Sequence, residues 1–109
     1  MKHINGQIIE FAPFTLVEGV DESTLFAASD ALQTEFLSRQ KGFIRRDLLK
    51  AGNGKWADVI YWDSRESVEH AMQQAPYNPA ALHYFQLMAN PGQEDANGGM
   101  LLLSIAKSY

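Results

Sequence analysis

The chain predicts an α+β domain of ferredoxin-like order, β-α-β-β-α-(α)-β, with one antiparallel sheet and its helices on one face. Three observations predict it. Asn53-Gly54, the favoured centre of a two-residue type I′ turn, joins two strand-like stretches at 43–50 and 56–62. Leu25, Ala28, Leu32 and Phe36 recur at helical spacing just before that hairpin, and Val68, Ala71, Met72 and Ala75 do so just after it. Stretches rich in Ile, Phe, Val and Leu open and close the chain, at 7–17 and 100–107.

Each element has its own signals. In the first strand Pro13 removes a ladder donor, which confines that position to an edge or a bulge. Asp21 caps a helix expected over 22–39, and Gly42 ends that unit. Asp63 or Ser64 caps the second helix, Asp63 and Glu66 having capping-box spacing, and Pro76 stops it. Asn78-Pro79 reads as an N-cap followed by proline at the first helical position. The short third helix would run to about residue 88 with Ala81, Tyr84, Phe85 and Met88 inward. Residues 90–99, with Pro91, Gly92, Gly98 and Gly99, read as a loop before the last strand.

A length of 109 residues suits a single domain over 1–109. At 46% hydrophobic and 20% charged residues the composition is that of a globular protein. The net charge of −4 and the scattering of nine Lys and Arg argue against nucleic acid and anionic membranes as partners. The absence of cysteine removes thiolate chemistry and disulfides. No apolar run has the length of a membrane span or the pattern of a signal peptide, so a cytoplasmic protein is expected. His3, His70 and His83 lie far apart without ligand spacing, so no metal site is expected.

A two-residue turn would put Arg45 opposite Trp62, Asp47 opposite Ile60 and Leu49 opposite Asp58. One sheet face would then carry two carboxylates, a guanidinium and an indole, a mixture foreign to a simple core. The other face would carry Ile44, Leu48, Ala57, Val59 and Tyr61, and the last strand is apolar on both sides. Helices cover only one face of such a sheet, so the second apolar face requires a partner. A homodimer through the sheet face is expected, burying on the order of 1,200–2,000 Å².

Phe14-Thr15-Leu16, Gln40-Lys41-Gly42-Phe43-Ile44 and Val59-Ile60-Tyr61-Trp62-Asp63-Ser64 resemble the antibiotic biosynthesis monooxygenase-type domains of the dimeric α/β-barrel superfamily. The resemblance spans nearly the whole chain in element order. It implies a dimeric α/β barrel with a ligand cleft between sheet and helices in each subunit. Some such domains are cofactor-independent oxygenases acting on polyketide phenols, with a Trp on the third strand and an Asn four residues earlier. Trp62 matches that Trp, Asp58 stands at the Asn, and Val68 falls where those enzymes have a helix Tyr. Other members degrade haem through an Asn, a Trp and a helix His, a set that His83 and the residues around His70 do not reproduce.

The residues themselves supply the roles. Asp58, between Trp56 and Ile60 on its face, is a carboxylate in apolar surroundings, where a raised pKa suits a general base for a phenol or an acidic C–H. Its structural alternative is a partner for Arg45 or a surface carboxylate. Arg45 over the Trp62 ring would form a cation–π pair that either steadies an anion or merely orders the hairpin. His83 is a candidate proton donor, whereas His70 faces solvent. Ile60, Leu82 and Phe85 are expected to line the ligand site. These expectations combine into a monooxygenase-like enzyme acting on a small aromatic or polyketide-like ligand with no cofactor. A non-catalytic dimer that binds a small apolar ligand or serves in stress is the alternative, with haem binding through His83 third.

Overall fold

The computed structural model describes residues 7–89 and 100–109. In it β1 (Ile8–Thr15), α1 (Glu22–Glu35), β2 (Phe43–Lys50), β3 (Lys55–Trp62), α2 (Arg65–Gln74), α3 (Pro79–Gln86) and β4 (Leu101–Ser104) follow in the expected order. A 3₁₀ turn at Leu37–Arg39 replaces the last turn expected of α1, and another, Ala75–Tyr77, joins α2 to α3 around Pro76. The sheet order is β2-β3-β1-β4, antiparallel throughout. This is the ferredoxin-like arrangement. The expected loop over 90–99 lies outside the described residues, as does His3.

The helix caps show why these segments start where they do. Asp21 accepts from Thr24 N at 2.9 Å, and Asn78 Oδ1 accepts from Ala81 N at 3.0 Å with Pro79 in the first turn. Ser64, rather than Asp63, caps α2 by accepting from Ser67 N at 3.2 Å, while the Ser67 hydroxyl donates to Asp63. Gly42, at φ +85°, presses against Asp63 and Ser67, where a Cβ would collide with both side chains. Pro13 sits beyond the last β1–β4 pair, Phe11 with Leu101, so its missing donor leaves the β1–β4 ladder intact.

The core lies between the sheet and the helices. Leu25, Ala28, Leu32 and Phe36 from the α1 region, Val68 and Ala71 from α2, and Ala81 and Tyr84 from α3 pack on Ile8, Trp56, Ile60 and Trp62. Full burial of a side chain such as Leu25 contributes about 1.5–3 kcal/mol. Met72, expected in the α2 stripe, is exposed.

The hairpin corrects the expected register. Asn53 and Gly54 both take positive φ, 68° and 72°, and Lys55 N donates to Gly52 O, so the I′ turn forms. Ala51 N, however, donates to Lys55 O at 2.8 Å, so that Ala51 and Gly52 together oppose Lys55. This one-residue bulge moves β2 by one place: Arg46 pairs with Ile60, Leu48 with Asp58 and Lys50 with Trp56. A one-residue slip exchanges the faces of a whole strand. Arg45, Asp47 and Leu49 therefore join Val59 and Tyr61 on the face away from the helices, and Arg46 and Leu48 turn inward. A second irregularity at Ile44 returns Phe43 to the inner side, where it meets Trp62 edge-on at 5.8 Å.

Candidate functional site

The helix-covered face brings a polar cluster into the core. On β3 the inward residues are Trp56, Asp58, Ile60 and Trp62, and on β1 they are Ile8, Glu10, Ala12 and Phe14. Asp58, 4% exposed, accepts from Arg46 Nε at Oδ1 and from the Tyr84 hydroxyl at Oδ2, both at 2.8 Å. Arg46 reaches across from β2 with a side chain 5% exposed. Its remaining N–H groups donate to Ser29 Oγ at 2.8 Å, the Ser29 carbonyl at 3.3 Å, Gln33 Oε1 at 3.4 Å and Tyr84 Oη at 3.1 Å. All five guanidinium donors are thus engaged. The network ties β2, β3, α1 and α3 together at one point.

Trp62, 1% exposed, donates its indole N–H to Glu10 Oε1 at 3.1 Å. Glu10 pairs with Ile60 across the strands and is half-buried on the same face as Asp58. Two carboxylates and one guanidinium thus share a low-dielectric layer. Burial pushes the Glu10 carboxyl above its ordinary range and the nearby Asp58 adds to this, while the Trp62 N–H and Arg46 pull it back. Burial also raises Asp58, opposed by the charge of Arg46 and by the Tyr84 and Arg46 hydrogen bonds. The Tyr84 hydroxyl is raised too, through burial first and the Asp58 charge second, so it stays protonated.

Of the residues singled out from the sequence, Asp58, Ile60 and Trp62 share the buried, helix-covered face of β3. Arg45 does not: it is exposed on the opposite face, paired with Asp47 and stacked over Tyr61 at 4.6 Å, instead of covering Trp62. Leu82, His83 and Phe85 also lie apart from the cluster, exposed on the outer side of α3. The inward stripe of that helix is Ala80, Ala81 and Tyr84, continued by Leu87, and helical spacing turns 82, 83 and 85 away from it. Phe85 touches the cluster only through a ring-edge contact with Tyr84 at 6.3 Å.

The members missed from the sequence are Glu10, Arg46, Tyr84 as a hydroxyl, Ser29 and Gln33. One signal was available: Glu10 is a lone carboxylate in the apolar run Ile8-Ile9-Glu10-Phe11-Ala12. A separate groove of about 530 Å³ runs along residues 15–22, Lys50, Asn53, Gly54 and Trp56, and touches neither Asp58 nor Trp62. Among the described residues no group of three or more His, Cys, Asp or Glu is placed to hold a metal ion.

No family model matches the chain, and no curated protein matches it in sequence. Solved structures do match it. SnoaB from Streptomyces nogalater, described as a cofactor-independent oxygenase, superposes with a TM-score of 0.74 at 16% identity, over 94% of this chain and 96% of its own. A candidate antibiotic biosynthesis monooxygenase from Bordetella bronchiseptica gives 0.70 at 16% identity, covering 96% and 100% of the two chains. Rv0793 from Mycobacterium tuberculosis gives 0.68 at 18% identity, covering 94% and 98%. The fold is that of the antibiotic biosynthesis monooxygenase-type domains. Among the described residues no helix is long and apolar enough to cross a membrane.

Proposed function

We propose that the protein is a monooxygenase-like enzyme acting on a small aromatic or polyketide-like molecule held between sheet and helices, with no metal or tightly bound cofactor. The observation that carries this reading is that Asp58 and Trp62 are both buried on the helix-covered sheet face, with a second carboxylate, Glu10, bonded to that same Trp62. The fold shared with SnoaB, an oxygenase described as cofactor-independent, supports it.

In this reading an interior carboxylate takes a proton from a phenol or from a CH₂ group flanked by aromatic rings. The electron pair left on the substrate is then available to O₂. Conversion of CH₂ to C=O passes four electrons to O₂, with one oxygen atom entering the product and the other leaving as water, so no outside reductant is consumed. Arg46 steadies the anion through its charge alone, its N–H groups being engaged. Trp62 and Ile60 supply the wall of the site. The test is oxygen uptake by chelator-treated protein with anthrones, hydroquinones and related phenols. Uptake above the rate without protein is expected, and none across the panel would remove the reading.

A second reading, a non-catalytic dimer that binds a small ligand or serves in stress, is favoured by one observation. Among the described residues no buried side-chain nitrogen or oxygen lacks a partner, as in a purely structural network. Tight binding of a panel member without oxygen uptake would select it. Both readings include a cytoplasmic homodimer joined through the outer sheet face, where Leu49, Leu101 and Leu103 are exposed.

A further inference from the structure

Asp58 and Glu10 occupy the same buried face, yet their hydrogen bonding differs in kind. Each Asp58 oxygen is already held, one by a guanidinium and one by a phenol. Protonating Asp58 would leave the Arg46 charge unpaired in the core, the costliest way to break a buried ion pair. Arg46 and Tyr84 have no donor left to offer a ligand. Glu10 accepts only one hydrogen bond among the described residues, from a neutral indole, at one of its two oxygens. A carboxylate accepts about four, so the described residues leave acceptor capacity on Glu10. It is also half-buried where Asp58 is 4% exposed, so among the described residues it is the less enclosed of the two carboxylates.

The geometry points to Glu10 as the proton acceptor of this site, held in place by the Trp62 N–H, with Asp58, Arg46 and Tyr84 as the rigid frame beside it. The step balances simply: the substrate O–H or C–H bond breaks, its electron pair stays on the substrate, and the proton moves to a Glu10 oxygen. Glu10 becomes a neutral acid, and the negative charge moves to the ligand, still within the field of Arg46. Two carboxylates whose surroundings divide their tasks are a recurring way for one site to do proton chemistry near neutral pH. Asp58 and Arg46 are the charged groups that face Glu10.

This assignment rests on the oxygenase-like reading, and an anaerobic experiment separates the two. The probe is 1,8-dihydroxyanthrone, whose anion absorbs at longer wavelength than the neutral form. Without O₂ the wild-type protein is expected to bind the probe and generate the anion band at a pH where the free probe is neutral. Glu10→Gln should bind it with at least a tenfold loss of that band, and Glu10→Asp should recover part of it. The Trp62 indole N–H signal in an NMR pH titration provides the second readout. It should shift as the Glu10 carboxyl titrates in the wild type and stay flat in Glu10→Gln. An anion band undiminished in a folded Glu10→Gln overturns the role of Glu10 while the oxygenase-like reading stands. Absence of the band in the wild type overturns both. A Trp62 signal that does not respond to pH overturns the Glu10–Trp62 pairing whatever the probe does.

Discussion

The two faces of the sheet carry contrasting chemistry. The face under the helices holds Glu10, Arg46 and Asp58 within a core of Trp, Tyr and Leu. The face turned away holds Ile9, Phe11, Val59, Leu101 and Leu103, with Arg45 and Asp47 towards its edge. Leu49, Leu101 and Leu103 remain 45–46% exposed there. Charge is thus gathered in the interior and apolar surface is left outside. Buried charge costs free energy unless it is paired, and such clusters concentrate at functional sites. An apolar sheet face costs solubility unless a partner covers it. The inner face is the place to look for chemistry, and the outer one is the place to look for a second copy of the chain.

The largest effect should come from breaking the inner network. Arg46→Ala strands Asp58 as an unpaired buried charge and is expected to cost about 3–5 kcal/mol in urea denaturation. Arg45→Ala, one residue earlier but on the exposed face, should leave the midpoint unchanged. Similar losses in both variants would mean that the register is not the one described.

The outer face is next. Leu103→Asp places a charge among its exposed apolar residues, on the edge strand β4, and is expected to halve the mass measured by light scattering, with the near-ultraviolet signal of Trp62 unchanged. A variant that keeps the wild-type mass would show that the apolar face is not the interface.

Acidity gives a subtler contrast. Burial raises the folded Glu10 carboxyl above its ordinary value, so between the unfolded and folded values the native state binds more protons than the unfolded chain. The corresponding stability is present below about pH 4.5 and is lost as pH rises through the folded value. Urea midpoints should therefore fall with rising pH in the wild type and fall less steeply in Glu10→Gln. Identical slopes would remove Glu10 from the list of shifted groups.

The smallest effect tests the turn that sets both faces. Asn53 sits at φ 68°, where alanine is strained, and Asn53→Ala should cost about 1 kcal/mol. No loss would mean that the I′ geometry is not needed to hold the hairpin.

Most of the fold was legible in the chain because it is written in local signals. Apolar spacing marked the buried stripe of α1, and Asp21 and Asn78-Pro79 marked helix starts that the hydrogen bonds bear out. The Asn53-Gly54 turn also formed as expected. The identity of the buried arginine was not legible. Arg45 and Arg46 are adjacent, and a bulge of one residue at Ala51-Gly52 decides which of them points inward. Nothing in the turn sequence distinguishes a two-residue loop from the same turn preceded by that bulge. The exposure of Leu82, His83 and Phe85 was hidden for a similar reason. On a helix of eight residues several stripes look apolar, and only packing against α1 selects Ala81 and Tyr84.

The sequence by itself determined the order of the elements, the caps and turns that bound them, and the presence of a mixed polar and aromatic strand at Asp58 and Trp62. Local propensity and periodicity are properties of neighbouring residues and need no tertiary contact to be read. Only the tertiary structure decided that Arg46 closes on Asp58, that Tyr84 joins them from α3, and that Glu10 meets the Trp62 indole across the sheet. Those contacts join residues 12 to 52 positions apart. Strand register and helix docking bring such residues together, and each can move a side chain from one face to the other with a shift of a single residue.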